Sequence, residues 1–333
     1  MKLSILVCTR NRAHVITPCL DSIAAAIVNA GPADAEIVIA DNGSTDGTPE
    51  IIAAWKNRTT VPVQFVIEPR PGRARGMNRA LSVAHGEIFA FTDDDCRLDR
   101  NYVNDLLRHD AADTEPVVRG GRTELGDPTD QPVTIDTNPE RERWSLAQNS
   151  ARHRLIAGVI FGCNMVVRRT IIDRLGPFDE NFGPGSVIGS GDDTEFLWRA
   201  YVAGIVLEHV PDMTVYHFHG RKTPEDVRVL FTRYTIGFGA LCMKYFLKHP
   251  NLTRTAWWDI KNAAKEILTG TNRLLPNSVL PDVQWSYCKK VSVIARGATR
   301  FILARKDDGA RRRWAEARHG RQTPEQLIGA RAP

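Results

Sequence analysis

Between Glu87 and Arg97 the chain reads EIFAFTDDDCR, a short apolar run that ends on three consecutive acids. The Ile, Ala and Phe residues predict a buried strand over Glu87–Phe91, which leaves Asp93, Asp94 and Asp95 at its carboxyl end. Three similar runs precede it, each followed by a helical stretch. Leu3–Cys8 leads into a helix near Ala13–Asn29, Glu36–Ala40 into one near Thr48–Trp55, and Val63–Ile67 into one near Ala74–Ala84. The Glu87–Phe91 strand is itself followed by a helix near Asn101–His109. Four strand–helix units in succession specify an α/β protein with a mostly parallel central sheet and helices on both faces, a Rossmann-like layout.

Past this block the pattern loosens. Residues 111–157 are polar and carry Pro116, Pro128, Pro132 and Pro139, so they read as a connecting region with one helix near Arg141–Arg154. Val159–Val167 reads as a further buried strand. It is followed by a short helix at Thr170–Leu175, a glycine-rich loop from Phe182 to Gly191 and a helix at Asp193–Ala203. Strands are expected near Ile205–His209 and Thr214–Phe218, and helix predominates from Thr223 to about Lys306.

With 333 residues, 42% hydrophobic and 25% charged, the chain can bury a full core and carry an appended part. The apolar run after Met1 is too short for a secretory signal, and no stretch reaches the roughly 18 apolar residues of a membrane-spanning helix. The closest, Tyr234–Leu247, is interrupted by Lys244. Six scattered cysteines with no C-x-x-C pair are expected to be reduced thiols of a cytoplasmic protein. The net charge of +5 conceals a division: residues 1–220 hold 22 Lys and Arg against 30 Asp and Glu, and residues 221–333 hold 22 against 9. The basic last third points to an anionic partner, phospholipid headgroups or nucleic acid, or to a solvated basic surface.

Ligands of an open parallel sheet bind at the carboxyl ends of its strands. Here those positions carry Thr9 and Arg10, Asp41 and Asn42, Arg70, Arg73 and Arg75, and Asp93 to Asp95. Alternating acids and arginines suit a nucleoside diphosphate with a hard cation, Mn²⁺ or Mg²⁺, on the carboxylates. A capping turn is the alternative for the three acids, and the turn-forming segment DNGSTDGT leaves Asp41 more naturally structural than functional. There is no G-x-G-x-x-G after the first strand, and PRPGRARG lacks the Gly-Lys-Ser/Thr ending of a phosphate-binding loop. A second group of acids, Asp192, Asp193 and Glu195, opens a helix behind the glycine-rich loop. It suits either helix-end electrostatics or a general base. His217 and His219 alternate on VYHFHG and so share one side of a strand.

In this order, CTRNR, ADNGSTDGT, RARGMNRAL, TDDDC, FGCNMVVRR with GPFDENFG, GDDTEFLWRAYVAG and VYHFHG resemble the family 2 glycosyltransferases, inverting enzymes of the GT-A fold. The resemblance runs from about Leu3 to His219. It implies a catalytic domain over 1–220, with nucleotide-sugar binding in about 1–110 and the acceptor side in about 155–220, followed by a basic, mainly helical region over 221–333. It further implies that Thr9, Arg10, Asp41, Arg73, Arg75, Asn78, Asp93 and Asp94 bind the nucleotide sugar. Asp95 and His217 hold Mn²⁺ or Mg²⁺, and Asp193 is the base, with Asp192 beside it in a place where Glu is more usual. The partners implied are a nucleotide diphosphate sugar and a saccharide or lipid-linked acceptor, with no nucleic acid. Without a Q-x-x-R-W motif or a membrane span, transfer of one sugar at a time in polysaccharide or glycolipid assembly is expected. Two other functions use similar parts: a metal-dependent phosphohydrolase or nucleotidyltransferase, and a non-catalytic sugar-nucleotide binding protein. Apolar residues such as Trp257, Trp258, Ile260, Leu268, Trp285, Ile294, Phe301 and Ile302 lie among the C-terminal basic residues. They suit either peripheral contact with the inner face of a membrane or packing, onto the catalytic domain or in a homo-oligomer.

Overall fold

The computed structural model describes residues 1–31, 34–146, 158–249, 254–270 and 286–304. Strands β1 (Leu3–Thr9), β2 (Ala35–Asp41), β3 (Val63–Ile67) and β4 (Ile88–Asp93) alternate with helices α1 (Ile16–Asn29), α2 (Thr48–Lys56) and α3 (Arg73–Val83). The four strands run parallel, as the sequence predicts, and stand in the order β3-β2-β1-β4. Side-chain alternation sends Leu6 of β1 into one hydrophobic cluster with Ala74, Met77 and Leu81 of α3. Leu3, Ile5 and Val7 enter another with α1 and α2. Each fully buried Ile or Leu contributes about 1.5–3 kcal/mol, so both faces of the sheet are held.

Beyond β4 the sheet turns mixed. The strands β5 (Cys96–Leu98), β6 (Val117–Leu125), β7 (Glu142–Trp144), β8 (Met165–Arg168) and β9 (Val206–His217) extend it in the order β4-β8-β6-β9-β5, with β7 also on β9. Four expectations are corrected here. The connecting region contains a full strand, β6, hidden in sequence because Arg119 and two glycines interrupt its apolar pattern. Arg119 is buried and paired with Glu208 at 2.7 Å and Asp113 at 2.5 Å. Residues 142–144 of the expected Arg141–Arg154 helix form β7, since they pair with β9; residues 147–154 lie outside the described set. The Val159–Val167 strand is only Met165–Arg168, because residues 158–164 form turns that carry Phe161, Gly162 and Cys163 out of the sheet. The two strands expected after Ile205 are one, β9, which passes through Pro211 where the pairing with β6 shifts register.

The remaining helices are α4 (Tyr102–Ala111), α5 (Arg169–Leu175), α6 (Asp192–Val202), α7 (Pro224–Tyr245), α8 (Arg254–Thr269) and α9 (Tyr287–Leu303). α7 begins with a capping box between Thr223 and Asp226. It is fastened to α6 by Glu195, which accepts from Arg199 Nε at 2.9 Å, Lys244 Nζ at 2.8 Å and the Tyr245 hydroxyl at 2.8 Å. Burial alone would raise the Glu195 pKa, but these partners hold it down to about 2. Among the described residues no helix is long and apolar enough to cross a membrane.

Candidate active site

The carboxyl ends of β1 and β4, the start of α3, the glycine-rich loop leading into α6, the end of β9 and the first half of α7 surround a cleft of about 350 Å³. Thr9, Arg10, Arg73, Asp93, Asp94, Asp95, Asp192, Asp193 and His217 all line it. Residues far apart in sequence are brought there by register. β5 pairs antiparallel with β9 so that Cys96 faces His217, and the Phe218 amide donates to the Asp95 carbonyl at 2.8 Å.

Arg73, the first residue of α3, joins two walls of the cleft. Its Nε and Nη2 donate to Asp93 Oδ1 at 2.9 and 2.6 Å, its Nη1 to Asp192 Oδ2 at 2.7 Å, and its Nη2 also to the Gly162 carbonyl at 3.2 Å. Burial opposes the guanidinium charge, yet Asp93 and Asp192 raise its pKa well above the ordinary value. Asp192 is therefore committed to an ion pair.

Asp193 has no cation within salt-bridge distance among the described residues. Its Oδ2 accepts from the Gly162 amide at 3.0 Å, and its Oδ1 from the Thr194 amide at 2.6 Å. The residue before α6 is Gly191, which has no side chain with which to cap the helix. Burial, reinforced by the Asp192 charge, raises the Asp193 pKa, and Arg73 only partly offsets this. Both acids fit because glycines face them. A Cβ on Gly162 would stand 2.9 Å from the Asp193 side chain, and one on Gly183, whose φ is +90°, would stand 2.8 Å from Asp192 Cγ.

The acids after β4 divide. Asp94 is raised to about 7 by burial and by Asp95, against the Arg12 guanidinium 3.4 Å away. Asp95 lies 3.4 Å from His217 Nε2. Burial would raise its pKa, but the His217 contact prevails and lowers it, while burial of His217 is outweighed by Asp95 so that the imidazole rises to about 9. An anionic oxygen and an imidazole in contact form a donor pair that fits Mn²⁺ or Mg²⁺, the imidazole favouring Mn²⁺. Behind them the Cys96 and Cys163 thiols lie with His217 in a buried group whose ligand atoms are all within 4.8 Å of one another.

Three expected site residues lie away from the cleft lining. Asp41 is buried one residue behind it, its carboxylate accepting from the Ser44 amide at 3.1 and 3.3 Å. Asn42 lines the cleft instead and fixes the third strand end, donating to the Arg70 carbonyl at 2.7 Å and accepting from the Gly72 amide at 2.8 Å. Arg75 pairs with Glu180 at 3.3 Å, and Asn78 accepts from the Phe178 amide and donates to its carbonyl, both at 3.0 Å. Both thereby fasten the GPFDE segment to α3. Arg12, Arg221, Arg233 and Tyr234 line the cleft without having been singled out from sequence. Arg12 was visible in CTRNR, but only the fold brings Arg221, Arg233 and Tyr234 to the acids. Arg221 Nη1 is buried and has no hydrogen-bond partner among the described residues, as suits a donor waiting for an anionic ligand.

The family model described as glycosyl transferase family 2 matches residues 4–176, and the chain belongs to that family. It is 30% identical to the succinoglycan biosynthesis protein ExoA of Rhizobium meliloti over 268 residues, covering 72% of each chain. It is 24% identical to the glycosyltransferase AglE of Haloferax volcanii over 216 residues, 64% of this chain and 66% of that one. With the poly(ribitol-phosphate) β-N-acetylglucosaminyltransferase TarS of Staphylococcus aureus it shares 32% identity over 112 residues, 34% of this chain and 18% of TarS. The chain thus spans less than two thirds of the length of AglE or TarS. Among solved structures, S. aureus TarS 1–349 in complex with UDP superposes with a TM-score of 0.54 at 20% identity, covering 96% of this chain and 92% of that one. A mannosyltransferase from Pyrobaculum calidifontis, in complex with GDP-Man and Mn²⁺, gives 0.52 at 18% identity, over 99% and 78%. The fold is of the GT-A type.

Proposed function

We propose that this chain transfers one sugar at a time from a nucleoside diphosphate sugar to an acceptor hydroxyl, with inversion at the anomeric carbon, in polysaccharide or glycolipid assembly. The observation that carries this reading is a single cleft that brings together the half-buried Asp193 with its raised pKa, a clamped Arg73 and the Asp95–His217 pair. Residues 1–220 are its catalytic domain, with the nucleotide sugar on about 1–110 and the acceptor on about 155–220, and residues 221–333 are its basic, mainly helical partner region. Asp95 and His217 would hold Mn²⁺ or Mg²⁺, which when bound supplies positive charge against the leaving diphosphate. Arg221 and Arg10 donate to phosphate oxygens, and Thr9, Asp93 and Asp94 line the path of the nucleoside. Asp193 takes the proton of the acceptor hydroxyl. Asp192 is the weaker candidate for that role because Arg73 already neutralises it.

The test is a panel of nucleotide sugars with and without hydroxyl acceptors. The expected products are a nucleoside diphosphate and a glycosylated acceptor. Release of inorganic phosphate or of a nucleoside monophosphate would favour a phosphohydrolase or nucleotidyltransferase. Donor binding without turnover under any of these conditions would leave a binding protein.

The basic region supports a second element of the reading. Trp257, Trp258, Ile260, Leu268 and Ile302 are between 42% and 84% exposed, whereas Phe301 packs 6.3 Å from Phe182. Trp285 lies outside the described residues. Exposed indoles and aliphatics among Lys and Arg suit the surface of an anionic bilayer. The chain is expected to sediment with anionic liposomes at physiological salt and to be released as salt rises. Failure to co-sediment would assign these side chains to contact between copies of the chain.

A further inference from the structure

A second cavity, of about 300 Å³, opens beyond Asp193. It shares Thr134, Phe161, Ser190, Gly191, Asp193, Leu230 and Tyr234 with the nucleotide cleft, so the two spaces meet at the proposed base. One face of α7 forms much of its wall. Leu230, Tyr234, Gly237 and Leu241 follow the spacing of successive turns, and Phe231 and Phe238 flank them. Val133 and Ile160 also line it. Among the described residues that line only this second cavity, Thr194 alone is polar, and its hydroxyl already contacts Asp193 at 3.2 Å.

A saccharide filling this space would bury hydroxyls against phenylalanine and leucine. Each one left without a partner costs roughly tenfold in affinity. A methylene placed there gains about fourfold. We propose that the acceptor is an amphiphile: its hydroxyl is presented to Asp193 at the junction of the two cavities, and the hydrocarbon chain attached beside it occupies the apolar one. This rests on the reading of Asp193 as the base and narrows the acceptor to the lipid-linked class.

The probes are alkyl glucosides from methyl to octyl, kept below their critical micelle concentrations, with binding measured by calorimetry. Affinity should rise about fourfold per added methylene until the cavity is full. The rise should persist in Phe238→Leu and flatten in Phe238→Asn. A wild-type affinity independent of chain length overturns the proposal, as does an equal rise in Phe238→Asn, which would place the chain elsewhere. Should Phe238→Asn fail to fold, an octyl glucoside with a terminal diazirine, photolysed on the wild type, gives the answer. Adducts between Leu230 and Leu241 support the cavity, and adducts confined to α8 or α9 overturn it. Donor turnover is scored separately. No turnover with any nucleotide sugar counts against the transferase reading, whereas turnover with methyl and octyl glucoside at equal KM counts against the apolar cavity.

Discussion

Asp193→Asn is expected to lower glycosyl transfer by about a hundredfold or more while leaving the Kd of the nucleotide sugar nearly unchanged. The split follows from position. The cations and acids proposed for the donor stand on β1, β4, α3 and the end of β9, whereas Asp193 stands in the first turn of α6 and faces both cavities. Asn keeps the volume of Asp, so Gly162 still fits against it. It also keeps one oxygen for the Gly162 or Thr194 amide, and removes the proton acceptor. Its effect on stability should be small, because the lost hydrogen bond is offset by removing a charge that burial disfavours. The pH dependence has a definite sign. The base works ionised and its pKa lies above that of an ordinary Asp, so kcat should fall on acidification at a higher pH than an unperturbed carboxylate would give. Asp192→Asn is the control, since it leaves Arg73 an acceptor without the negative charge and should weaken the link between α3 and α6. Near-normal transfer by Asp193→Asn would refute the assignment. A larger rate loss in Asp192→Asn, at unchanged thermal stability, would move the role to its neighbour.

Which parts of this arrangement were legible in the sequence depends on whether the signal is local. The four parallel strands were, since each is a mainly apolar run with polar residues following its carboxyl end, and the residues that close β1 and β4, with Asn42 after β2, proved to line one cleft. β6 was not, because Arg119 reads as a surface residue until Glu208, 89 positions away, is known to neutralise it. The turn at 158–164 was not, because its apolar residues line cavities instead of sheet faces, and periodicity does not distinguish the two. Asn78 and Arg75 looked like ligand contacts because they open a helix at a strand end. Their partners at Phe178 and Glu180 lie a hundred residues on or more and could not be foreseen. The contribution of α7 was equally hidden: Leu230, Arg233 and Tyr234 carry no motif, and α7 is tied beside the acids by Glu195 with Lys244 and by the Ser190 hydroxyl, which donates to the Arg233 carbonyl at 2.6 Å.

Asp95→Asn is expected to abolish donor turnover, and EDTA to do the same to the wild-type chain until Mn²⁺ or Mg²⁺ is restored. Asp93 is already engaged by Arg73 through two hydrogen bonds, and Arg12 stands nearest Asp94. Asp95, in contrast, meets an imidazole and has Arg12 only at 3.7 Å. It is therefore the carboxylate best placed to take a divalent cation together with His217, whose imidazole would give up its proton to the solvent on binding. Asn is acceptor-poor and neutral, so it retains the hydrogen-bonding shape while losing the charge a hard divalent ion needs. Direct Mn²⁺ binding, followed by calorimetry without any donor, separates loss of the ion from loss of folding. Binding should disappear in Asp95→Asn and weaken in His217→Ala, while both variants keep a cooperative thermal transition. A hundredfold loss of turnover with unaltered Mn²⁺ affinity would give Asp95 a different task, and full wild-type activity in EDTA would remove the metal from the reaction altogether. The positive charge against the leaving diphosphate would then have to come from Arg10, Arg12, Arg221 and Arg233, which already line the same cleft.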